Sequence, residues 1–288
     1  MATDIRRIGV IGAGTMGNGI AQAFAAAGYP VVLRDIAQPA LDRGVATVKN
    51  SLGRLVAREK LTPAEADAAL QRITPTIAIE DLRDCDLVVE AALEKFEVKK
   101  AVIADLERVC CPHTIFASNT SSISLTKIAA TSQRPDRVIG MHFFNPVPIM
   151  QLVEVIRALQ TSDEVSAAVV ALVGAIGKQA HISRESYGFV VNRVLIPMIN
   201  EAINCVYENV ATPEDVDVML KLGAAHPMGP LSLGDLIGLD IVLDVMETLY
   251  QGFNDPKFRP SPLLKQMCDA GYLGRKSGRG FFEYPPKA

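Results

Sequence analysis

The segment Gly12-Ala13-Gly14-Thr15-Met16-Gly17 constrains this 288-residue chain more than any other. It follows a short apolar run, Ile8 to Ile11, and opens an Ala-rich stretch that ends near Gly28. Strand, glycine turn and helix in that order begin a β-α-β unit built to hold a dinucleotide. Gly12 permits the tight turn, Gly14 lets a pyrophosphate approach the backbone, and Gly17 lets helix and strand pack closely. Ala13, Thr15 and Met16 complete a turn whose helix N-terminus offers N–H groups to phosphates. A second apolar run, Val31-Val32-Leu33, is stopped by Arg34-Asp35. A carboxylate there accepts hydrogen bonds from ribose hydroxyls and repels a 2′-phosphate, which favours NAD over NADP. Arg34 beside it is of the kind that accommodates the extra phosphate, so the preference stays open to test.

The pattern continues as an alternation. Leu41, Val45, Val48, Leu52 and Leu55 recur near a helical period, and Thr62-Pro63-Ala64-Glu65 is a capping box that starts another helix. Apolar runs follow at 87–89, 115–117, 138–140 and 152–156, with a helical stretch from Lys95 to Val109 between the first two. Ser162-Asp163-Glu164 opens a further helix and Ala180-His181-Ile182 fits a last strand. The expected fold is α/β: a Rossmann-like, mostly parallel doubly wound sheet over residues 1–185. Beyond Tyr187-Gly188-Phe189 the runs near 190–208, 213–222, 231–251 and 261–271 are helical, so residues 186–288 are expected to be all-α.

The chain is 49% hydrophobic and 21% charged, with a formal net charge of -3, which gives no general reason to expect nucleic acid. Five cysteines form no C-x-x-C pair and no metal spacing, which is the usage of reduced thiols. The glycines of IGVIGAGTMGNGI break any signal-peptide core, and no apolar run reaches a membrane-spanning length. A cytoplasmic protein without metal or membrane partner is expected.

The stretch GMHFFNPVPIMQLVEVI, residues 140–156, carries one histidine and one glutamate among apolar residues. Pro146 and Pro148 block regular strand pairing, so the chain turns between them and the next run. If the flanking segments run back antiparallel about Pro148, positions equidistant from it face each other, and His142 and Glu154 are such a pair. A buried carboxylate needs a partner. A His–Glu pair beside a dinucleotide turn is an acid–base device. Asn119-Thr120-Ser121-Ser122 follows the strand Ile115 to Ser118, where ligands bind in open α/β sheets. Ser121 or Ser122 also fits a helix N-cap, and position alone does not separate the two. Ser51, Arg54 and Arg58 share a helical face, which suits phosphates and an ordinary solvated surface equally well.

Together GAGTMG, SNTSS, HFFNPVPIMQLVEV, GFVVNR, HPMGPLSLGDLIGLD and GRKSGRGFFEY closely resemble the L-3-hydroxyacyl-CoA dehydrogenases, over essentially the whole chain and in order. The likeness is greatest to the short-chain bacterial members, the 3-hydroxybutyryl-CoA dehydrogenases. It implies an NAD-binding domain, a helical dimerisation domain, an active site in the cleft between them, and a homodimer. The implied reaction interconverts (S)-3-hydroxybutyryl-CoA and acetoacetyl-CoA. By resemblance His142 is the acid–base and Glu154 its partner, with Ser121 and Asn192 on the substrate oxygen. Asn145 lines the nicotinamide end, and Asn119, Ser121, Glu94, Lys99 and Lys276 contact the cofactor. Ser51 and Arg58 align with a serine and a lysine that hold coenzyme A; the arginine keeps the charge and changes the contact geometry. Two rivals stand beside this reading: a dehydrogenase of a free 3-hydroxy acid, and a non-catalytic, crystallin-like NAD-binding protein.

Overall fold

The computed structural model describes residues 4–285, and the chain divides into two compact units, residues 1–185 and 186–288. In chain order the first unit contains β1 (Ile8–Ile11), α1 (Thr15–Ala26), β2 (Val31–Arg34), α2 (Gln38–Ala57), α3 (Pro63–Gln71), β3 (Ile73–Thr76) and β4 (Leu87–Glu90). Then come α4 (Phe96–Val109), β5 (Ile115–Ser118), α5 (Leu125–Ala129), β6 (Val138–Phe143), β7 (Leu152–Arg157), α6 (Asp163–Ala175) and β8 (Gln179–Arg184). The strands form one sheet in the order β3-β2-β1-β4-β5-β6-β7-β8. Every neighbouring pair is parallel except β6 and β7.

Central strands covered on both faces read as unbroken apolar runs. β1 (IGVI) and β4 (LVVE) are buried at every position. Ile8, Val10, Phe24, Leu33, Leu87 and Ile139 belong to one core on the α1 side of the sheet. The capping box forms: Thr62 accepts from the Glu65 N–H at 3.2 Å, and the Thr62 N–H donates to the Glu65 carboxylate at 2.8 Å. β3 has no counterpart in the expected strands. Its sequence, ITPT, carries Pro75, and it pairs only with β2 at the sheet edge, where a missing N–H is tolerated.

The second unit contains α7 (Val191–Tyr207), α8 (Pro213–Gly223), α9 (Pro230–Ile237), α10 (Leu239–Phe253) and α11 (Pro262–Asp269). The helical run expected over 231–251 is two helices. Gly238 breaks it, with φ at +106°, a conformation that costs a residue with a Cβ. Ile199, Ile203, Leu231, Val242, Met246, Leu249 and Leu264 form this unit's core.

Two buried aspartates hold the signature segments of this unit. Asp217 caps α9 by accepting from Leu231 N at 2.7 Å and Ser232 N at 2.9 Å. A Cβ at Gly229 would lie 2.1 Å from the Asp217 carboxyl carbon. Asp235 accepts from Phe281 N and Phe282 N at 3.0 Å and from the Tyr284 hydroxyl at 3.1 Å, clipping the C-terminal segment to α9. Burial raises the Asp235 pKa, against the pull of those donors.

Candidate active site

The glycine turn has the shape its spacing predicts. Gly12 has φ +96°, and a Cβ there would lie 2.6 Å from the Ala91 carbonyl oxygen. A Cβ at Gly17 would sit 1.7 Å from the Gly12 carbonyl oxygen, so helix and strand cross there only through glycine. At Gly14 a Cβ would meet nothing within 4 Å, and α1 begins without a side-chain cap. An open backbone face at a helix N-terminus fits the pyrophosphate of a dinucleotide. Asp35, just past β2, accepts from Ala13 N at 2.7 Å and Ala37 N at 3.3 Å, which fixes its carboxylate beside the turn. Gly44 of α2 is a constraint the sequence did not single out: its Cβ would lie 2.7 Å from the Ala13 carbonyl oxygen.

The antiparallel register about Pro148 is borne out: His142 and Glu154 are direct partners across β6 and β7. His142 is 6% exposed and Glu154 3%. His142 Nδ1 lies 2.8 Å from Glu154 Oε2, and the Phe144 ring packs 4.6 Å from the imidazole. Carboxylate on Nδ1 selects the tautomer that carries its proton there and turns Nε2 outward from the pair.

Next to β4 and β5 lies a second charged cluster. Lys99, on the buried stripe of α4 with Ile103 and Leu106, is 1% exposed. Its ammonium donates to Glu90 Oε1 and Oε2 at 2.9 and 3.0 Å and reaches Glu94 Oε2 at 3.0 Å. Glu90 also accepts from the Ser118 hydroxyl and from Ala92 N, each at 2.7 Å. Glu94 Oε1 accepts from the Thr120 hydroxyl at 2.5 Å, Ser121 N at 2.8 Å and Ser122 N at 3.0 Å. Burial works to raise the Glu94 pKa, but the Lys99 charge and these donors outweigh it and hold it below the ordinary value.

Lys99, expected to contact the cofactor, directs its N–H bonds to the carboxylates of Glu90 and Glu94 and is buried. Glu90 was missed; the sign in the sequence was an acid ending an apolar strand, LVVE, ahead of a lysine on the apolar stripe of the following helix.

Ser121 and Ser122 are not helix caps. Ser124 caps α5, accepting from Lys127 N at 3.0 Å, so the Ser121 hydroxyl has only a long 3.4 Å approach to Glu94. Asn119 Oδ1 accepts from Phe143 N at 2.9 Å, which ties the loop after β5 to the end of β6. Asn145, two residues past β6, is exposed. In this unit the structure therefore brings His142 and Glu154 together across β6 and β7, ties Asn119 to the end of β6, and gathers Ser121 and Lys99 around the Glu94 carboxylate.

Ser51 and Arg54 lie on α2, and Arg58 is its C-cap residue rather than part of the helix. Both arginines are exposed, and no ion pair engages them among the described residues. In the second unit Asn192 is the second residue of α7, and the Lys276 ammonium pairs with Asp240. No group of three or more His, Cys, Asp or Glu among the described residues is placed to hold a metal, and no helix is long and apolar enough to cross a membrane.

A glycine turn of this shape in a doubly wound sheet, with the Asp35 carboxylate beside it, defines a dinucleotide-binding domain. Residues 7–185 match the family model for the NAD binding domain of 3-hydroxyacyl-CoA dehydrogenase, and residues 188–284 match the model for its C-terminal domain. The chain belongs to the 3-hydroxyacyl-CoA dehydrogenase family. It is 52% identical to a probable 3-hydroxybutyryl-CoA dehydrogenase of Deinococcus radiodurans, over 96% of this chain and 100% of that one. It is 50% identical to the 3-hydroxybutyryl-CoA dehydrogenase of Bradyrhizobium diazoefficiens, over 99% of this chain and 97% of that one. The crystal structure of (S)-3-hydroxybutyryl-CoA dehydrogenase from Ralstonia eutropha superposes with a TM-score of 0.95 at 54% identity, covering 98% of this chain and 100% of that one.

Proposed function

We propose that this protein interconverts (S)-3-hydroxybutyryl-CoA and acetoacetyl-CoA with His142 and Glu154 as its acid–base pair. One observation carries the reading: two titratable groups bonded at 2.8 Å inside an apolar sheet, on the adjacent strands β6 and β7. The Gly12–Gly17 turn and Asp35 would hold NAD, whose nicotinamide would accept the substrate's C3 hydride in oxidation and return it in reduction. In oxidation neutral His142 takes the hydroxyl proton of the substrate at Nε2. Glu154 on Nδ1 holds the ring's tautomer and stabilises the imidazolium that forms, as the carboxylate does in a catalytic triad. In reduction the imidazolium returns that proton to the developing alkoxide. Ser121 and Asn192 are assigned to the substrate oxygen and Asn145 to the nicotinamide end.

The coenzyme A phosphates are assigned to Ser51, Arg54 and Arg58, a reading supported by the exposed, unpaired state of both arginines. We also assign the chain to a homodimer formed by the second unit. α8 supports this: Val218, Met219 and Leu222 are 45%, 61% and 82% exposed and lie at spacings that share one stripe. A monomer by light scattering at micromolar concentration would remove the dimer from the account. A cytoplasmic location belongs to the same reading, in keeping with five free thiols.

The decisive assay follows NADH absorbance with acetoacetyl-CoA and, separately, with free acetoacetate. Rapid turnover of the thioester alone is expected. Equal turnover of the free acid transfers the reading to a free-acid dehydrogenase, and no turnover of either leaves an NAD-binding protein without this chemistry.

A further inference from the structure

The segment between β6 and β7 separates the two members of the acid–base pair, and it carries Asn145. Its own backbone supports it weakly: Ile149 N and Met150 N both donate to the Pro146 carbonyl, at 2.9 and 3.0 Å. The carbonyls of Val147 and Met150 take their hydrogen bonds from one side chain. Lys178, between α6 and β8, donates from Nζ to both, at 2.7 Å each. Lys178 is 9% exposed. Burial pushes its pKa below the ordinary lysine value, and no carboxylate among the described residues offsets that. A cation placed in so unfavourable a position bonds the carbonyl of Val147, which would otherwise lie buried and unbonded, together with that of Met150.

The opposite side of the turn is clamped as well. Val147 is 2% exposed, and a Cβ on Gly19 of α1 would lie 2.9 Å from the Val147 Cβ. The turn is thus held between the dinucleotide helix and the Lys178 ammonium. At each end it runs into a strand whose register places one member of the pair.

We propose that Lys178 is a positioning residue for the reaction: its ammonium sets the turn that fixes His142 against Glu154 and Asn145 beside them. The proposal rests on the acid–base reading above. Lys178 touches neither substrate nor cofactor in this role, and it acts through the backbone of residues 147–150.

A double-mutant cycle on the holoenzyme tests it. Lys178→Met keeps the length of the side chain and removes both hydrogen bonds. With Glu154 present it should lower kcat by about 10- to 100-fold, the scale of a small misplacement of reacting groups. KM for NADH should change by less than about threefold, because the loss falls on the chemical step. In a Glu154→Gln background the same substitution should lower kcat by less than about threefold, because the two changes disable one device. Equal losses in both backgrounds, or an unchanged kcat in the single variant, would overturn the proposal. If Lys178→Met does not fold, Gly19→Ala enters the same cycle, since it displaces the turn from the other side; additivity there overturns the proposal equally. The Glu154→Gln arm reports separately on the acid–base reading, so the two failures are told apart.

Discussion

Two buried pairs of titratable groups lie on neighbouring parts of one sheet, and the proposed reading gives them opposite roles. His142–Glu154 joins β6 to β7 at 2.8 Å; Lys99–Glu90 joins α4 to β4 at 2.9 Å. The lysine is saturated by carboxylate oxygens, and those carboxylates are saturated in turn by Ser118, Thr120 and backbone N–H groups. An ammonium has three donors and no acceptor, and here all three are spent on fixing carboxylates. An imidazole has two distinct nitrogens, and bonding one to a carboxylate prepares the other for proton transfer. Burial and distance are nearly the same in the two pairs. What differs is the partner of the carboxylate: an imidazole has a second nitrogen, and the ammonium has no further donor.

Substitutions should divide along that line. The largest effect is expected from His142→Gln, which should lower kcat by on the order of 10²–10⁴ while the protein stays folded. Steady-state kinetics beside a circular dichroism spectrum measures both. Lys99→Met should do the reverse in kind: it strands the buried Glu90 carboxylate and should cost about 3–5 kcal/mol of stability in denaturant unfolding. A stable Lys99→Met protein that has lost only kcat would break the contrast.

How much of this was legible in the sequence differs between the pairs for a physical reason. The glycine turn, the Thr62 capping box and the register about Pro148 are local: a few adjacent residues determine each, and all three are found as read. The Lys99 cluster depends on contacts across strands, from Glu90 and Glu94 to Ser118, Thr120 and Ser121, and no periodicity announces them. Lys178 was invisible for the same cause, since its partners Val147 and Met150 offer only backbone. β3 was missed because Pro75 argues against a strand and edge pairing overrides it. The single helix expected over 231–251 failed at Gly238, where an apolar pattern continues across a break in the backbone.

Two smaller effects sharpen the contrast at its edges. Asp35→Ala removes the carboxylate beside the glycine turn, and the NADH over NADPH preference in kcat/KM should narrow by roughly tenfold, about 1.4 kcal/mol. Equal use of both cofactors by the unmodified protein would sink this role for Asp35. Glu94 has a folded-state pKa below its ordinary value, so the stability it contributes is present above the ordinary carboxylate range. That stability is lost as the pH falls through the folded pKa. Glu94→Gln should therefore flatten the acid limb of a plot of Tm against pH, and an unchanged limb would mean that the carboxylate is not held there.

The central claim is that Glu154 is a working part of the acid–base pair and not a second scaffold. It is tested most directly by Glu154→Gln, with kcat for acetoacetyl-CoA reduction and urea unfolding measured on one preparation. The substitution keeps the shape and a hydrogen-bond acceptor for His142 Nδ1, and removes the charge. The account predicts kcat lower by on the order of 10²–10⁴ with stability changed by no more than about 1 kcal/mol. A protein with near-normal kcat and a large loss of stability would contradict it, and would place Glu154 in the same class as Glu90.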